Sequence, residues 1–131
     1  MHTKQIEELF DITKNWQYVS ALERHFFDMA GHLSNDYNGG YWKSQKVAKS
    51  WFFFLDEDKS FSVDEIAVNS KTFSYVVNYI VLVNMINSLH EKGLEKDPLY
   101  MELRHIWMNL MDSIELVLNE EERFNYYKLI D

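Results

Sequence analysis

From about Trp16 to Leu33 the apolar residues Val19, Leu22, Phe26, Met29 or Ala30, and Leu33 recur three or four positions apart. That spacing lines up one stripe on a helix. Asn15 stands where a short side chain can accept from first-turn amides. A smaller amphipathic turn, residues 6–10, precedes it. The rhythm breaks at Ser34-Asn-Asp-Tyr-Asn-Gly-Gly-Tyr-Trp42, where Gly39 and Gly40 supply backbone angles that other residues resist, so the helix must stop there. Two short aromatic runs follow, Tyr41 to Lys43 and Ser50 to Leu55, and both predict strands. The polar stretch from Asp56 to Ser60 predicts a reversal. Phe61-Ser-Val63 then predicts a third antiparallel strand running on toward Ile66 or Val68.

From Ser70 or Lys71 to Lys92 nearly every turn is apolar, through Val76, Val77, Ile80, Val83, Ile86 and Leu89. Such a helix should be covered on most sides, and Gly93 ends it. Its most apolar part, Phe73 to Met85, is interrupted by Asn78 and Asn84 and falls short of the roughly 20 residues that cross a hydrocarbon layer. It reads as a buried helix, with no membrane contact. Asp97-Pro98 opens another helix, carried by Leu99, Leu103, Ile106, Leu110, Ile114 and Val117. Asn119 caps a last short one, with Glu120, Glu121 and Glu122 at its positive end and Phe124, Tyr127 and Ile130 expected to dock it. The sum is an α+β fold in a single domain over residues 1–131: an N-terminal helix, a small antiparallel β-sheet of about three strands, and a helical C-terminal half.

Composition narrows the class without naming an activity. Apolar residues at 47% and aromatics at 16% are ample for a core. A net charge of −8 repels a phosphate backbone, which disfavours direct nucleic-acid binding. With no cysteine there is no disulfide, thiolate nucleophile or Cys-type metal site. The first dozen residues lack the basic-then-apolar layout of a secretion signal, so a cytoplasmic location is the default expectation.

Candidate chemistry is sparse. His25 and His32 share a helix face with Asp28 between them, but no further ligand completes a zinc site, and the pair reads as exposed histidines beside a carboxylate. Asp56, Asp58, Ser60 and Asp64 imitate a calcium loop, yet Phe61 sits where glycine is needed and Ala67 where the bidentate glutamate belongs. No nucleophile-elbow or phosphate-cradling motif occurs, so no catalytic residues, metal or cofactor are expected. Residues 97–131 hold eight acids against three bases. Within them Glu115, Glu120, Glu121 and Glu122 are a candidate acidic patch, to be weighed against an ordinary solvated helix surface. The aromatics around Trp51 to Phe54 suit either a recognition surface or a sheet covered on both faces.

The string Asp36-Tyr37-Asn38-Gly39-Gly40-Tyr41-Trp42, placed after an amphipathic helix and before short aromatic strands, resembles the DYxGGYW signature of the KlcA/ArdB-type antirestriction proteins. The order of parts and the terminal Leu129-Ile-Asp131 are similar too. The chain departs from that pattern at residues 43–49 and at Ser70 to Tyr75, as a distant member would. The resemblance implies a non-enzymatic anti-defence protein of a mobile element, phage or plasmid, shielding incoming DNA from type I restriction through contact with a host protein. The alternative is an acidic DNA-mimic decoy on a nucleic-acid-processing complex. Asp36, Tyr37, Gly39, Gly40, Tyr41 and Trp42 are expected to act structurally first, with Asp36 bonding amides of its own turn and the two rings anchoring the first strand.

Overall fold

The computed structural model describes residues 16–40, 42–47 and 50–131. Asn15, the turn at residues 6–10, and Tyr41 lie outside the described residues. In chain order the elements are α1 (Trp16–Leu33), β1 (Trp42–Val47), β2 (Ser50–Leu55), β3 (Ser60–Val63), β4 (Ile66–Asn69), α2 (Ser70–Glu91), α3 (Pro98–Val117) and α4 (Glu120–Ile130). The chain is thus α+β, with the helical C-terminal half that the apolar spacing predicts.

The ends of α2 and the start of α3 fall where their local chemistry demands. The Asn69 side chain accepts from Thr72 N–H to start α2. At its end Gly93 adopts φ +70°, and the amides of Gly93 and Leu94 return to the carbonyls of His90 and Leu89. This is a Schellman closure, which a left-handed residue makes possible. Asp97 caps α3 through Leu99 N–H, with Pro98 in the first turn. The stripe Leu99, Leu103, Ile106, Leu110 and Ile114 is buried as its spacing requires, as are Leu22, Phe26 and Ala30 of α1.

The strands differ in detail from a single sheet of about three. They form two separate two-stranded antiparallel sheets, β1 with β2 and β3 with β4. Trp42 lies opposite Leu55 in the first, and Phe61 opposite Val68 in the second. Residues 56–59 connect the two sheets; they do not fold β3 back onto β2. The chain reverses instead at Asp64 (φ 47°) and Glu65 (φ 69°), a two-residue hairpin with both central residues left-handed. Neither is glycine, and a side chain there costs about 1–2 kcal/mol of local strain. Glu65→Gly is therefore expected to raise the unfolding free energy by about 0.5–1 kcal/mol, part of the relief being offset by the greater freedom of glycine in the unfolded chain. Urea unfolding of the two proteins checks it.

Helix α2 is the hub. The β1–β2 sheet, the β3–β4 sheet, α1, α3 and α4 all pack against it. By length and composition it is the one described helix apolar enough to cross a membrane, but most of that stretch is buried inside the fold. Phe52 and Phe53, which point to opposite faces of β2, are both fully buried. Phe53 meets Phe26 of α1 edge-on at 5.0 Å, while Phe52 and Phe54 meet Tyr75 of α2 at 6.0 and 5.6 Å. A sheet covered on both faces accounts for these aromatics.

The outer edge of β2 is closed by polar side chains of an otherwise apolar helix. Ser70, Ser74 and Asn78 follow one another at intervals of four along α2 and are all buried. The Ser70 hydroxyl donates to Leu55 C=O and accepts from Glu57 N–H; the Ser74 hydroxyl accepts from Leu55 N–H at 2.9 Å. The Asn78 amide donates to Phe53 C=O at 2.7 Å, and its oxygen accepts from Phe53 N–H at 3.4 Å. Backbone groups that a further strand would satisfy are thus satisfied by a helix.

Candidate functional site: the turn from Asp36 to Trp42

The segment that leaves α1 ties together elements distant in sequence. The Asp36 carboxylate does not cap its own turn, as the sequence suggested; it accepts from Ser62 N–H of β3 at 2.8 Å. The Asp36 carbonyl accepts from Lys59 Nζ at 2.6 Å, and its own N–H donates to the Ser34 hydroxyl. One residue therefore fastens the second sheet to the end of α1.

Trp42 is buried to 1% exposure, with its indole N–H donating to the Tyr37 hydroxyl at 2.9 Å. Its ring meets Phe26 edge-on at 5.6 Å. Tyr37 in turn lies 6.4 Å from Phe73 of α2. Burial pushes the Tyr37 hydroxyl above its ordinary range; the indole hydrogen bond opposes that shift and the Glu57 carboxylate adds to it.

The two glycines serve different ends. Gly39 adopts φ +77° in open space, so it is the backbone that excludes a side chain. Gly40 is a close approach: a Cβ there would meet the side-chain ends of Glu57 and Leu55, within 2.6 Å of Leu55 Cδ1, and those tips would have to shift. The Gly-Gly pair is thus one turn residue and one close approach between the turn and β2.

The acidic candidates do not act alike. Glu115, Glu120 and Glu121 are exposed, but Glu122 is 7% exposed and fully engaged. It accepts from Asn119 N–H at 2.8 Å while Asn119 accepts from Glu122 N–H, a reciprocal cap. It also accepts from the Asn69 amide at 2.7 Å and pairs with Lys71 Nζ at 3.1 Å. Glu122 is a strut between α4 and the start of α2, removed from any patch a partner could touch.

Burial alone would raise the Glu122 carboxyl; the hydrogen bonds from Asn69 and Asn119 and the Lys71 ammonium overcome it, leaving the group below the ordinary carboxylate range. A lowered folded-state value means that its stabilisation is complete above the unfolded carboxylate range and is lost as pH falls through the folded value. Acid titration of unfolding free energy is expected to show this loss in the wild type and a flatter profile in Glu122→Gln. That variant should also be less stable near neutrality, by about 1–2 kcal/mol for a broken cap.

The Phe124 side chain, expected to dock α4, is 66% exposed, and Tyr127 is 40% exposed. Tyr126 docks the helix instead, fully buried with its ring 6.3 Å from Tyr75, while Ile130 is partly buried as expected. Burial also raises the Tyr126 hydroxyl well above its ordinary value, which keeps it neutral.

Other candidates are scattered. His25, Asp28 and His32 are all exposed, and among the described residues no three His, Asp or Glu side chains gather as metal ligands do. Asp56 of the calcium-like string is paired to Lys43 at 2.8 Å. A cleft of about 350 Å³ between β2 and α2 is flanked by Lys43 and Lys71, but the first ammonium is held by Asp56 and the second by Glu122 and Val117 C=O.

No protein-family model, curated protein or solved structure matches this chain. The family resemblance therefore rests on the motif residues and the order of the elements.

Tyr37 N–H also donates to Ser34 C=O at 3.3 Å, and Asn38 is exposed in the same loop. The arrangement of the motif residues positions a surface at the junction of α1, the two sheets and α2.

Proposed function

We propose that this chain is a non-enzymatic antirestriction protein, encoded by a mobile element or phage, that protects incoming DNA from type I restriction by contacting a host protein in the cytoplasm. The observation that supports the reading is the Asp36–Trp42 turn, in which each described motif residue except Asn38 meets a requirement of its own. Asp36 spans to β3, Tyr37 receives the indole N–H, Gly39 takes a left-handed angle, Gly40 yields to Leu55, and Trp42 fills the core beside Phe26. The reading rests on the specificity of this motif in residue type and on the order of the elements around it.

The decoy reading is weaker. A mimic of DNA needs carboxylates repeated along an extended face, and the engagement of Glu122 leaves only Glu115, Glu120 and Glu121 of the four on offer.

Expression in a host with active type I restriction tests the proposal through the efficiency of plating of unmodified phage. Relief of restriction is expected, without any change in host modification of the same phage. Unchanged plating, with the folded protein present in the cells, would overturn it.

A further inference from the structure

The cap that turns Glu122 inward has a geometric consequence for the rest of α4. At 3.6 residues per turn, Phe124 and Tyr127 lie roughly 200° and 140° around the helix from Glu122, on its opposite side. The Phe124 ring projects into solvent, and the Tyr127 ring, resting edge-on against buried Tyr126 at 5.3 Å, leaves its outer side exposed. Glu120 and Glu121 stand one turn before Phe124, and with Asn119 and Phe124 they line an open hollow of about 570 Å³. Neither carboxylate enters an ion pair among the described residues. Lys128 Nζ sits 6.0 Å from the Phe124 ring centre, and Arg123, about 40° around the helix from Tyr127, turns its guanidinium back to Leu118 C=O.

We infer that this face of α4 is a docking surface for a protein whose own contact patch is apolar and rimmed by lysine or arginine. The inference rests on the reading above for the existence of a host protein partner and specifies the surface that meets it. Aromatic side chains supply large contact area at small entropic cost, and tyrosine is enriched at interface hot spots. The unpaired carboxylates select the sign of the rim. A second copy of the chain is disfavoured as the occupant, because it would bring Glu120 and Glu121 against the same acids and another net charge of −8.

The test uses the full chain and two synthetic peptides of identical lysine and leucine content. One arranges them as an amphipathic helix and the other is scrambled. Backbone amide shifts are expected to centre on Phe124 and Tyr127, with the amphipathic peptide binding about tenfold more tightly than the scrambled one. Phe124→Ser and the pair Glu120→Gln with Glu121→Gln should each weaken it by a similar factor, while circular dichroism confirms that both variants fold. Equal affinity for the two peptides, shifts centred elsewhere, or concentration-dependent dimerisation through α4 would each overturn the inference. The plating assay separates the two levels. If the wild type relieves restriction and folded Phe124→Ser relieves it equally, the surface is wrong and the function stands. If the wild type gives no relief, the functional reading fails while the peptide mapping still decides the surface.

Discussion

Trp42→Ala is expected to destabilise the protein by about 3–5 kcal/mol, the usual range for removing a large buried aromatic ring. The indole is 1% exposed, packs edge-on against Phe26, and stands opposite Leu55 at the start of the first sheet. Its N–H is also what orients Tyr37 toward α2. Domains of this size are stable by about 5–15 kcal/mol, so the variant should unfold at much lower urea and yield little folded protein. Trp42→Phe retains an aromatic ring beside Phe26 and should recover most of that loss. If Trp42→Ala left the urea midpoint unchanged, the turn would not be the structural joint described here.

Asn78→Leu should cost about 2–4 kcal/mol, even though leucine is the better residue for an apolar helix. The amide of Asn78 is the partner of both the N–H and the C=O of Phe53, whose side chain is wholly buried. Leucine would remove both hydrogen bonds from a buried strand edge, and each such loss costs about 1–3 kcal/mol. Urea unfolding measures the loss. Hydrogen exchange locates it: the Phe53 amide is expected to lose protection more than amides of the β3–β4 hairpin.

How far the sequence could be read depends on whether the deciding interaction is local. The stripes of α1 and α3, the Gly93 stop and the Asp97-Pro98 start follow from residues within a turn of each other, and all four appear in the fold. The β3–β4 reversal was hidden because Asp64 and Glu65 are not the Asn-Gly or Asp-Gly pair that such a turn favours. Of the three expected docking residues of α4 only Ile130 packs inward; the spacing of Phe124 and Tyr127 is helical too, as good as that of Glu122 and Tyr126. Asn69 and Lys71, more than fifty residues earlier, decide between the two. Asp36 belongs with these, since the amide it holds is 26 residues away. Of the motif, the turn and the buried tryptophan were legible; the separate reasons for Gly39 and Gly40 required the position of Leu55.

The helix that closes the edge of β2 also limits how long that edge can be. Four residues of helix advance about 6 Å, while two residues of extended strand advance about 6.6–6.8 Å. The mismatch after two intervals is about 1.2–1.6 Å, enough to carry a serine hydroxyl out of reach. Asparagine has a longer arm with both a donor and an acceptor, and it occupies the last rung, at Asn78. One interval further along α2 stands Leu82, which has nothing to offer a strand. This splice between a helix and a sheet is a vernier that runs out after three marks, so lengthening β2 would require a different neighbour to receive it.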